Sequence, residues 1–419
     1  MTGQSLHYNI PMRIEHLSLT NFRNYARLEL SLPAQGPVLL YGENAQGKTS
    51  ILEAITYLAT SISPYTTSDR QLIHWRTARE PIPFARLSAQ LAGGAYQKLD
   101  ITLMMDLSTA SPRFKKSVKL NGVEKRVMDV VGLLNVVLFL PQDLSLIEGA
   151  PSDRRRFMDT ALRQIDREYR LALHDYEKVL PQRNALLKRI ADGRAGAVEL
   201  DYWDEQLAGY GAVIIAARQR FLRELEALAR DNHHALSGGR EMLSLRYLPS
   251  LLPAADGDGR QRAFSLPGLD LDRQLTAEQI QPQFCAQLLE QRNQAIARGM
   301  TVAGPHRDEL RLLINERDCG DFGSRGQART AVMALRFAEL GWMRDQLGEY
   351  PLFLLDEVAA ELDARRRRFL LDQLDGNAQT LLTSTDLDDF DAAFLARATI
   401  YQVVNGQVSQ RRDNSDTNP

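Results

Sequence analysis

Short runs of alternating apolar and polar residues dominate the first third of the chain, and this pattern is typical of half-buried strands. The predicted strands cover 12–19, 26–32, 37–41, 84–91, 98–107, 117–120 and 136–140. Asn121-Gly122 has the composition of a tight hairpin turn, and 61–70, rich in Ser, Thr and Pro, is predicted to be a surface loop. Helical spacing predicts one helix that ends near Thr60. The pattern therefore predicts an α/β fold whose later strands are antiparallel.

From Ser152 the apolar residues recur every three or four positions, which is the spacing of amphipathic helices. One long helix is predicted to begin there, and a second covers about 199–235 after a pause at 193–196. The two are predicted to form an antiparallel hairpin inserted into the α/β unit. The segments predicted after it are a strand at 242–248, a disordered stretch at 249–268 and a helix at about 276–298.

Composition adds little to this picture. The 419 residues allow two or three domains, and 44% hydrophobic with 25% charged residues is ordinary for a soluble protein. The formal net charge of −2 gives no sign of nucleic-acid binding, so any DNA-binding face would come from local clustering or assembly. Cys285 and Cys319 lack metal-ligand spacing, and no apolar run has membrane-spanning length. These features predict a cytoplasmic protein with reduced cysteines and no membrane partner.

The stretch GENAQGKTS at 42–50 has the residue spacing of a phosphate-binding loop. A strand precedes it and a helix follows, which favours this interpretation over an ordinary Gly-rich turn. Backbone N–H groups and the helix N-terminus would bind phosphate oxygens, Lys48 would reach the terminal phosphates, and Thr49 would ligate Mg²⁺. The predicted ATP-binding residues of this loop are Gly42, Glu43, Asn44, Ala45, Gln46, Gly47, Lys48, Thr49 and Ser50.

A second apolar strand, 351–355, ends in the acidic pair Asp356 and Glu357. A buried strand of this kind, termed Walker B, holds a carboxylate beside Mg²⁺ and a second one near the attacking water. Asp356 is therefore the predicted metal ligand and Glu357 the predicted general base. The alternative is a buried strand that simply precedes an acidic helix cap.

Ser324-Arg325-Gly326-Gln327 precedes a predicted helix at 328–347 and resembles the signature motif of ABC-type ATPases. A hydroxyl and free N–H groups at a helix start favour an anion. In ABC-type ATPases that anion is the γ-phosphate of ATP held by another subunit, so Ser324, Gly326 and Gln327 are predicted to bind ATP across a dimer. The run 236–239 matches the motif more literally, but a strand follows it, and we interpret it as a helix end.

Two further positions agree with this class of ATPase. Gln142, at the end of the predicted strand 136–140, fits the Q-loop that senses Mg²⁺ and water, and 360–363 fits the D-loop after Walker B. Transporter ATPases place a switch histidine after the next strand, whereas this chain has 383–385 with the sequence Thr-Ser-Thr.

Longer motifs resemble the RecF family, which is related to the structural-maintenance-of-chromosomes (SMC) proteins. They are LSLTNFRNY (17–25), GENAQGKTS (42–50), FLPQDLSLIEGAPSDRRRF (139–157), QRNALLK (182–188), GPHRDEL (304–310) and GSRGQART (323–330). The chain departs from the family pattern at Arg325, where Gln is usual, and at 63–66, where a basic residue usually precedes Thr66. The second departure leaves Tyr65 without an assigned role.

The resemblance implies an α/β ABC/SMC-type ATPase head, a mixed sheet with flanking helices, that carries an inserted helical arm or lid. The expected head is 12–147 with 300–411, the arm is 148–299, and 1–11 with 412–419 are flexible tails. Either Met1 or Met12 is expected to be the first residue of the protein. The resemblance also implies weak ATP hydrolysis, an ATP-dependent homodimer, and binding of single-stranded, gapped or duplex DNA. Cooperation with RecO and RecR, recombinase loading and SOS induction complete the implied function.

Some residues keep two interpretations. Arg23 and Asn24, by analogy with related heads, contact nucleotide phosphates, or Arg23 is a surface arginine. For the arginines at 154–156 and 365–368, solvated or ion-paired side chains are favoured over DNA contacts, although phosphate binding would be expected beside a dimer cleft. The segment His306-Arg307-Asp308 is equally compatible with a structural ion pair and with catalysis.

Two other classes of ATPase compete with the RecF-like interpretation. The ATPase subunit of a transporter predicts a switch histidine and a much shorter gap between the phosphate loop and Walker B than this chain has. An SMC-like, nuclease-associated head predicts an added carboxylate-rich nuclease domain, for which the residues after Tyr401 leave no room.

Overall fold

The computed structural model describes residues 12–93, 97–107, 113–251, 274–358, 362–374 and 379–411. They form two compact units: Met1–Asp143 with Met343–Pro419, and Leu144–Trp342. The predicted tails, most of the predicted disordered stretch at 249–268, and Ala360 with Glu361 of the predicted D-loop lie outside the described residues. In the part of the chain that is described, no helix combines the length and apolar character needed to span a membrane.

The elements are numbered in chain order. The strands are β1 (Arg13–Phe22), β2 (Tyr25–Ser31), β3 (Val38–Tyr41), β4 (Phe84–Ala92), β5 (Gln97–Asp106), β6 (Arg113–Leu120), β7 (Val123–Lys125), β8 (Val136–Phe139), β9 (Leu243–Leu248), β10 (Glu309–Ile314), β11 (Arg317–Asp318), β12 (Leu352–Asp356), β13 (Thr380–Ser384), β14 (Thr399–Val404) and β15 (Gln407–Gln410). The helices are α1 (Lys48–Thr60), α2 (Val127–Val130), α3 (Ser145–Glu148), α4 (Pro151–Ile165), α5 (Arg167–Ala191), α6 (Leu200–Ser237), α7 (Ala277–Glu290), α8 (Arg292–Arg298), α9 (Cys319–Phe322), α10 (Arg325–Leu347), α11 (Ala364–Gln373) and α12 (Ala392–Arg397).

The first unit contains two six-stranded sheets. One is antiparallel with the order β2-β1-β4-β5-β6-β7, and Asn121-Gly122 forms the predicted hairpin turn, with φ of 51° and 80°. The other has the order β15-β14-β3-β13-β12-β8; its strands are parallel except for the edge strand β15. Parallel strands place their carboxyl ends at one edge of a sheet, so β3, β12 and β13 deliver their following residues to the same place.

Helix α1 belongs to the core shared by the two sheets. Eleven of its 13 residues are buried, and Ile51, Leu52 and Ile55 pack with apolar residues of both sheets. A helix that is apolar on most sides is stable only when it is surrounded, which explains why it has no polar stripe. The buried helix begins at Lys48, and its first turn is therefore held firmly at the carboxyl edge of the parallel strands.

The second unit contains the predicted helical hairpin, formed by α5 and α6. The single helix predicted from Ser152 is wrong in one respect: it is two helices, because Asp166 is extended and its side chain accepts from Tyr169 N, which begins α5. The helix predicted at 276–298 likewise divides into α7 and α8 at Gln291. Helix α6 ends with Gly238 at a φ of 71°, which confirms the interpretation of 236–239 as a helix end.

Arg218 on α6 organises this unit from its interior. Its guanidinium donates to Asp159 at 2.7 Å, to Asp308 at 3.0 Å and to the Pro305 carbonyl at 2.7 Å. Asp308 is fully buried, and burial raises its pKa while Arg218 opposes that rise. A buried carboxylate needs such a partner. The structure therefore favours a structural ion pair, rather than catalysis, for the segment His306-Arg307-Asp308.

The contacts group 300–342 with the inserted segment, whereas the sequence-based division assigns these residues to the head. Besides the Arg218 contacts, β10 pairs along its whole length with β9, from Glu309 opposite Leu248 to Ile314 opposite Leu243. Strand pairing and buried ion pairs are long-range contacts that local sequence patterns do not reveal. The functional division into head and arm stays a prediction.

Candidate nucleotide-binding site

The predicted phosphate loop connects β3 to the buried α1. Gly47 adopts a φ of 117°, and a side chain there would lie 2.5 Å from Asn24 Nδ2 and 2.8 Å from the Tyr25 hydroxyl. At Gly42 a side chain would lie 2.3 Å from the Val403 carbonyl. Gly42 is therefore required by the close approach of the Val403 backbone, and Gly47 by its positive φ and by the side chains of Asn24 and Tyr25.

Lys48 directs its ammonium group back into this loop. Nζ donates to the carbonyls of Gly42 at 2.6 Å and Glu43 at 2.9 Å, and it lies 3.2 Å from Glu357 Oε1. The side chain is almost fully buried. A buried ammonium with one carboxylate partner is well placed to exchange that partner for phosphate oxygens.

Asp356 joins the phosphate loop to the Walker B strand. Thr49 Oγ1 lies 2.9 and 3.0 Å from the two carboxylate oxygens, and Thr383 Oγ1 donates to Oδ1 at 2.7 Å. Thr383 lies directly opposite Asp356 in the β12–β13 register, and its hydroxyl also accepts from Glu357 N at 2.9 Å. The structure thus brings the predicted metal ligands Thr49 and Asp356 together.

Tyr65 is a site residue that the sequence did not identify. Its hydroxyl donates to Asp356 Oδ2 at 2.8 Å, and burial and the charge of Asp356 both raise its pKa, so it stays protonated as a donor. The prediction of a surface loop at 61–70 is wrong at Ser63, which is buried and hydrogen-bonded to Glu53 at 2.5 Å. In the sequence, the departure from the family pattern at 63–66 was the one feature that drew attention to Tyr65.

We expect Tyr65→Phe to raise the Mg²⁺ concentration needed for half-maximal ATP binding by roughly tenfold, as loss of an outer-shell hydrogen bond commonly does. The carboxylate of Asp356 would lose one of its orienting donors, while the phosphate loop itself is unchanged. Titration of Mg²⁺ at a fixed concentration of a fluorescent ATP analogue measures this shift. Tyr401→Phe, which removes a hydroxyl bonded to the Ser31 carbonyl in the same unit, is the control. Equal Mg²⁺ dependence of both variants would contradict the role.

Glu357 and Gln142 lie at the same edge of the parallel sheet. Glu357 has a φ of 53°, an uncommon conformation for a residue with a side chain and one frequent at functional sites. Gln142 follows β8, which pairs with β12, and its side chain is exposed. Among the described residues, Glu357 lines the cavity in front of the phosphate loop and Gln142 does not.

A cavity of about 510 Å³ opens in front of the phosphate loop. This volume is within the usual range for small-molecule sites. Its lining residues, all from the first unit, are Arg23, Asn24, Asn44, Ala45, Gly47, Lys48, Thr49, Ser50, Gln71, Ile73, Trp75 and Glu357. The wall therefore combines the phosphate loop with residues of 23–24, with residues of 71–75 and with Glu357.

Arg23 and Asn24 both reach this cavity, and each already has protein partners. Arg23 makes two hydrogen bonds, at 2.6 and 2.7 Å, to the buried carboxylate of Glu53. Asn24 Nδ2 donates to the Gln46 carbonyl at 3.0 Å. Asn24 therefore contacts the phosphate loop, and Arg23 contacts the helix that follows it; their contacts to nucleotide stay predictions.

The signature residues belong to the second unit, at the start of α10. Ser324 Oγ accepts from Gln327 N at 3.2 Å, and Gln327 Oε1 accepts from Ser324 N at 2.9 Å, which is a reciprocal helix cap. Helix α10 begins at Arg325, three residues before the predicted start. Ser324 and Arg325 are exposed, and Gly326 is half-buried, so the motif is open to an incoming molecule.

At least three arginines of the two clusters are ion-paired, which agrees with the solvated or ion-paired side chains that the sequence analysis favoured. Arg154 makes two hydrogen bonds to Glu309, at 2.6 and 2.7 Å. Arg366 pairs with Asp363 at 2.8 Å, and Arg367 lies 3.3 Å from Asp389. These contacts reduce the positive charge that the clusters present at the surface.

The donor set at Thr49 and Asp356 fits Mg²⁺. Mg²⁺ prefers oxygen ligands and is commonly held by one or two carboxylates together with substrate phosphates. Within the described ranges no group of three or more His, Cys, Asp and Glu side chains is arranged to hold a metal ion. A hydroxyl and one carboxylate beside a phosphate loop would share Mg²⁺ with the phosphates of a nucleotide.

Fold and site together define an ATPase head of the ABC/SMC type, and the family model described as "RecF/RecN/SMC N terminal domain" matches residues 13–409. The chain belongs to the RecF family. The DNA replication and repair protein RecF of Chloroflexus aurantiacus is 41% identical over 410 residues, covering 95% of this chain and 99% of that protein. RecF of Halalkalibacterium halodurans is 36% identical, with coverage of 96% and 100%.

Solved structures agree with this assignment and confirm the predicted fold class. The structure is similar to that of the recombination mediator protein RecF-ATP in the RecFOR pathway, with a TM-score of 0.80 and 28% identity. The match covers 98% of this chain and all of the other. A related structure of RecF-ATPrS gives a TM-score of 0.81 at the same identity.

Proposed function

We propose that the chain is an ATP-binding, weakly ATP-hydrolysing protein of DNA repair that dimerises on ATP and then binds DNA. The observation that carries the proposal is the hydrogen bond between Thr49 and Asp356 at 2.9 Å. It joins the phosphate loop to the Walker B strand, which are more than half the chain apart in sequence. Full-length similarity to RecF proteins, one solved in an ATP-bound form, supports the same assignment.

The residues of the chain have separate tasks in the proposed cycle. Amides of the phosphate loop bind the phosphates, and Lys48 exchanges Glu357 for the terminal phosphate oxygens. Mg²⁺, held by Thr49 and Asp356, would neutralise charge on the phosphates. Glu357, once released from Lys48, accepts a proton from the attacking water, and Gln142 is proposed to sense that water.

The proposed dimer places the signature of one copy against the ATP of another. Ser324 carries an exposed hydroxyl, and Gly326 and Gln327 lie beside it in the first turn of α10, where a helix N-terminus favours anions. Support comes from the exposure of Ser324, which leaves its side chain accessible to a second copy, whereas Gly326 and Gln327 are half-buried. Hydrolysis would separate the copies and release DNA.

The proposed targets are single-stranded, gapped or duplex DNA, and the proposed partners are RecO and RecR, in recombinase loading and SOS induction. Support comes from the family and from a solved relative, a recombination mediator in the RecFOR pathway. The function predicts a cytoplasmic protein, since DNA and these partners are there in bacteria.

DNA binding provides the test of this function. We expect affinity for gapped DNA to rise with ATP and to fall at least roughly tenfold between about 50 and 200 mM salt, because bound phosphates release counterions. Fluorescence anisotropy with labelled single-stranded, gapped and duplex DNA measures both effects. Binding that is insensitive to salt, or equal with and without ATP, would contradict the proposal.

A transporter ATPase subunit is disfavoured by a specific contact. The residue that follows Leu382 on β13 is Thr383, and its hydroxyl is bonded to Asp356 and to Glu357 N. This end of β13 is where the switch histidine of a transporter would be expected, and here it supports the Walker B residues instead.

A further inference from the structure

Trp75 is a large aromatic side chain at the wall of the nucleotide cavity, and 71% of it is exposed. It lines the same cavity as Lys48 and Thr49, but it comes from the segment that follows the loop at 61–70. Neither the phosphate loop nor the Walker B motif requires an aromatic residue here. A single exposed tryptophan is ordinary on a protein surface, so exposure alone does not mark a binding site; the position of Trp75 at the cavity wall and its fixed backbone do.

The segment that carries Trp75 is fixed to the antiparallel sheet. His74 N donates to the Asn21 carbonyl at 2.8 Å, Arg23 N donates to the Leu72 carbonyl at 2.8 Å, and Ile73 forms a bridge to Phe22. His74 is almost fully buried, and its Nδ1 accepts from Arg76 N at 3.0 Å. The backbone under the indole is therefore held at three successive positions.

The indole also has supporting neighbours. The His74 imidazole stacks with it at 21° between the planes, with ring centroids 5.8 Å apart. The Arg76 guanidinium carbon lies 5.3 Å from its centroid, at cation–π distance. An aromatic ring that is fixed in place and still mostly exposed is a preorganised stacking surface, because little freedom is lost when a second ring covers it.

The cavity wall includes polar and apolar residues. Lys48, Thr49 and Ser50 supply phosphate-binding groups, and Ile73 with Trp75 supply apolar surface. A nucleoside triphosphate has the matching division, with charged phosphates at one end and a flat base at the other. Stacking is the main way in which proteins bind a base without reading its edges.

We propose that Trp75 is the stacking platform for the base of the bound nucleoside triphosphate. This inference rests on the proposed ATP-binding function and adds to it a base subsite formed outside the phosphate loop. Since every base has an aromatic face, stacking by itself gives little choice between ATP and GTP. The subsite would therefore contribute affinity for nucleotides over inorganic polyphosphate rather than strict selection of adenine.

Replacing Trp75 tests the proposal with two ligands. We expect Trp75→Ala to weaken ATP binding by roughly 5- to 100-fold, the range measured for loss of base–aromatic stacking. Binding of inorganic tripolyphosphate, which has no base, should change less than about twofold because the phosphate loop is intact. Trp75→Phe, which keeps an aromatic face, should recover most of the ATP affinity. Isothermal titration with Mg²⁺ present measures all of these affinities.

Tryptophan fluorescence gives a second readout. The comparison of ATP with tripolyphosphate uses the wild-type protein, and Trp75→Phe is the control. Of the three tryptophans, Trp203 and Trp342 belong to the second unit. ATP should quench the emission of the wild type, tripolyphosphate should not, and the ATP effect should disappear in Trp75→Phe. Quenching by both ligands alike would overturn the proposal, since it would report a structural change rather than stacking.

The outcomes separate the base subsite from ATP binding itself. If wild-type protein binds ATP and Trp75→Ala binds it equally well, the platform is wrong and the proposed function stands. If Trp75→Ala loses ATP and tripolyphosphate to the same degree, Trp75 supports the fold of the phosphate site and the proposal is also wrong. If wild-type protein binds neither ligand, both the proposed function and the subsite fail.

Discussion

Replacing Lys48 by methionine is expected to abolish ATP binding. The Lys48 ammonium group lies inside the phosphate loop, bonded to the Gly42 and Glu43 carbonyls. Methionine removes this charge but keeps most of the side-chain volume. A hydrogen bond to a charged group contributes about 1.5–3 kcal/mol. Loss of two such bonds to phosphate predicts an affinity lower by roughly 100-fold or more. Isothermal titration of the variant with ATP and Mg²⁺ measures the loss.

Lys116→Met is the matched control for Lys48→Met. Lys116 is a partly buried lysine of the same unit, paired with Asp69 at 2.8 Å, and it does not line the cavity. It should keep wild-type ATP affinity, and thermal unfolding should show that both variants are folded. Near wild-type binding by folded Lys48→Met would mean that the phosphates bind elsewhere.

Replacing Ser324 by arginine is expected to leave ATP binding within about twofold of wild type while abolishing the ATP-dependent dimer. The substitution adds a bulky side chain at an exposed position of the second unit, whereas the phosphate loop belongs to the first. Loss of the helix cap should lower the free energy of unfolding by only about 1 kcal/mol. Sedimentation velocity with and without ATP measures the dimer.

Ser152→Arg is the control for Ser324→Arg. Ser152 is also exposed, in the first turn of α4, a helix of the same unit. This control should dimerise with ATP as the wild type does. ATP-dependent dimerisation of Ser324→Arg would show that the signature has been assigned to the wrong residues.

The sequence predicted the parts of the fold that depend on local chemistry. A phosphate loop needs glycines and lysine at fixed spacing after a strand, and β3 and α1 lie where 37–50 predicted them. The Walker B strand is buried on every residue, and its apolar run ends at Asp356 as expected. Both motifs could be found because their geometry is encoded by consecutive residues.

Other features depend on contacts between distant residues, which local patterns do not specify. Tyr65 donates to Asp356 almost 300 positions later in the chain, and nothing in 61–70 indicates that partner. Arg218 lies on an amphipathic helix, where an arginine is normally solvated, yet it is buried between Asp159 and Asp308. The grouping of 300–342 with the helical segment follows from such contacts and could not be predicted.

Thr383 is an intermediate case: its position was noticed from the sequence, but its contacts were not predicted. The sequence identified 383–385 as the place where a switch histidine was missing, but it assigned no role to the residues present. The register of β12 and β13 places Thr383 opposite Asp356 and gives the threonine its partner. An unexpected residue at an expected position was thus a usable signal, although its contact required the structure.

Mixing two inactive variants tests the central claim that the nucleotide site is shared between two copies. Lys48→Met keeps an intact Ser324, and Ser324→Arg keeps an intact Lys48, so a mixed dimer contains one complete site. With ATP and Mg²⁺, differently labelled variants should associate when mixed, as measured by energy transfer between the labels, and each alone should stay monomeric. If the mixture stays as monomeric as the separate variants, a site completed by a second copy is contradicted.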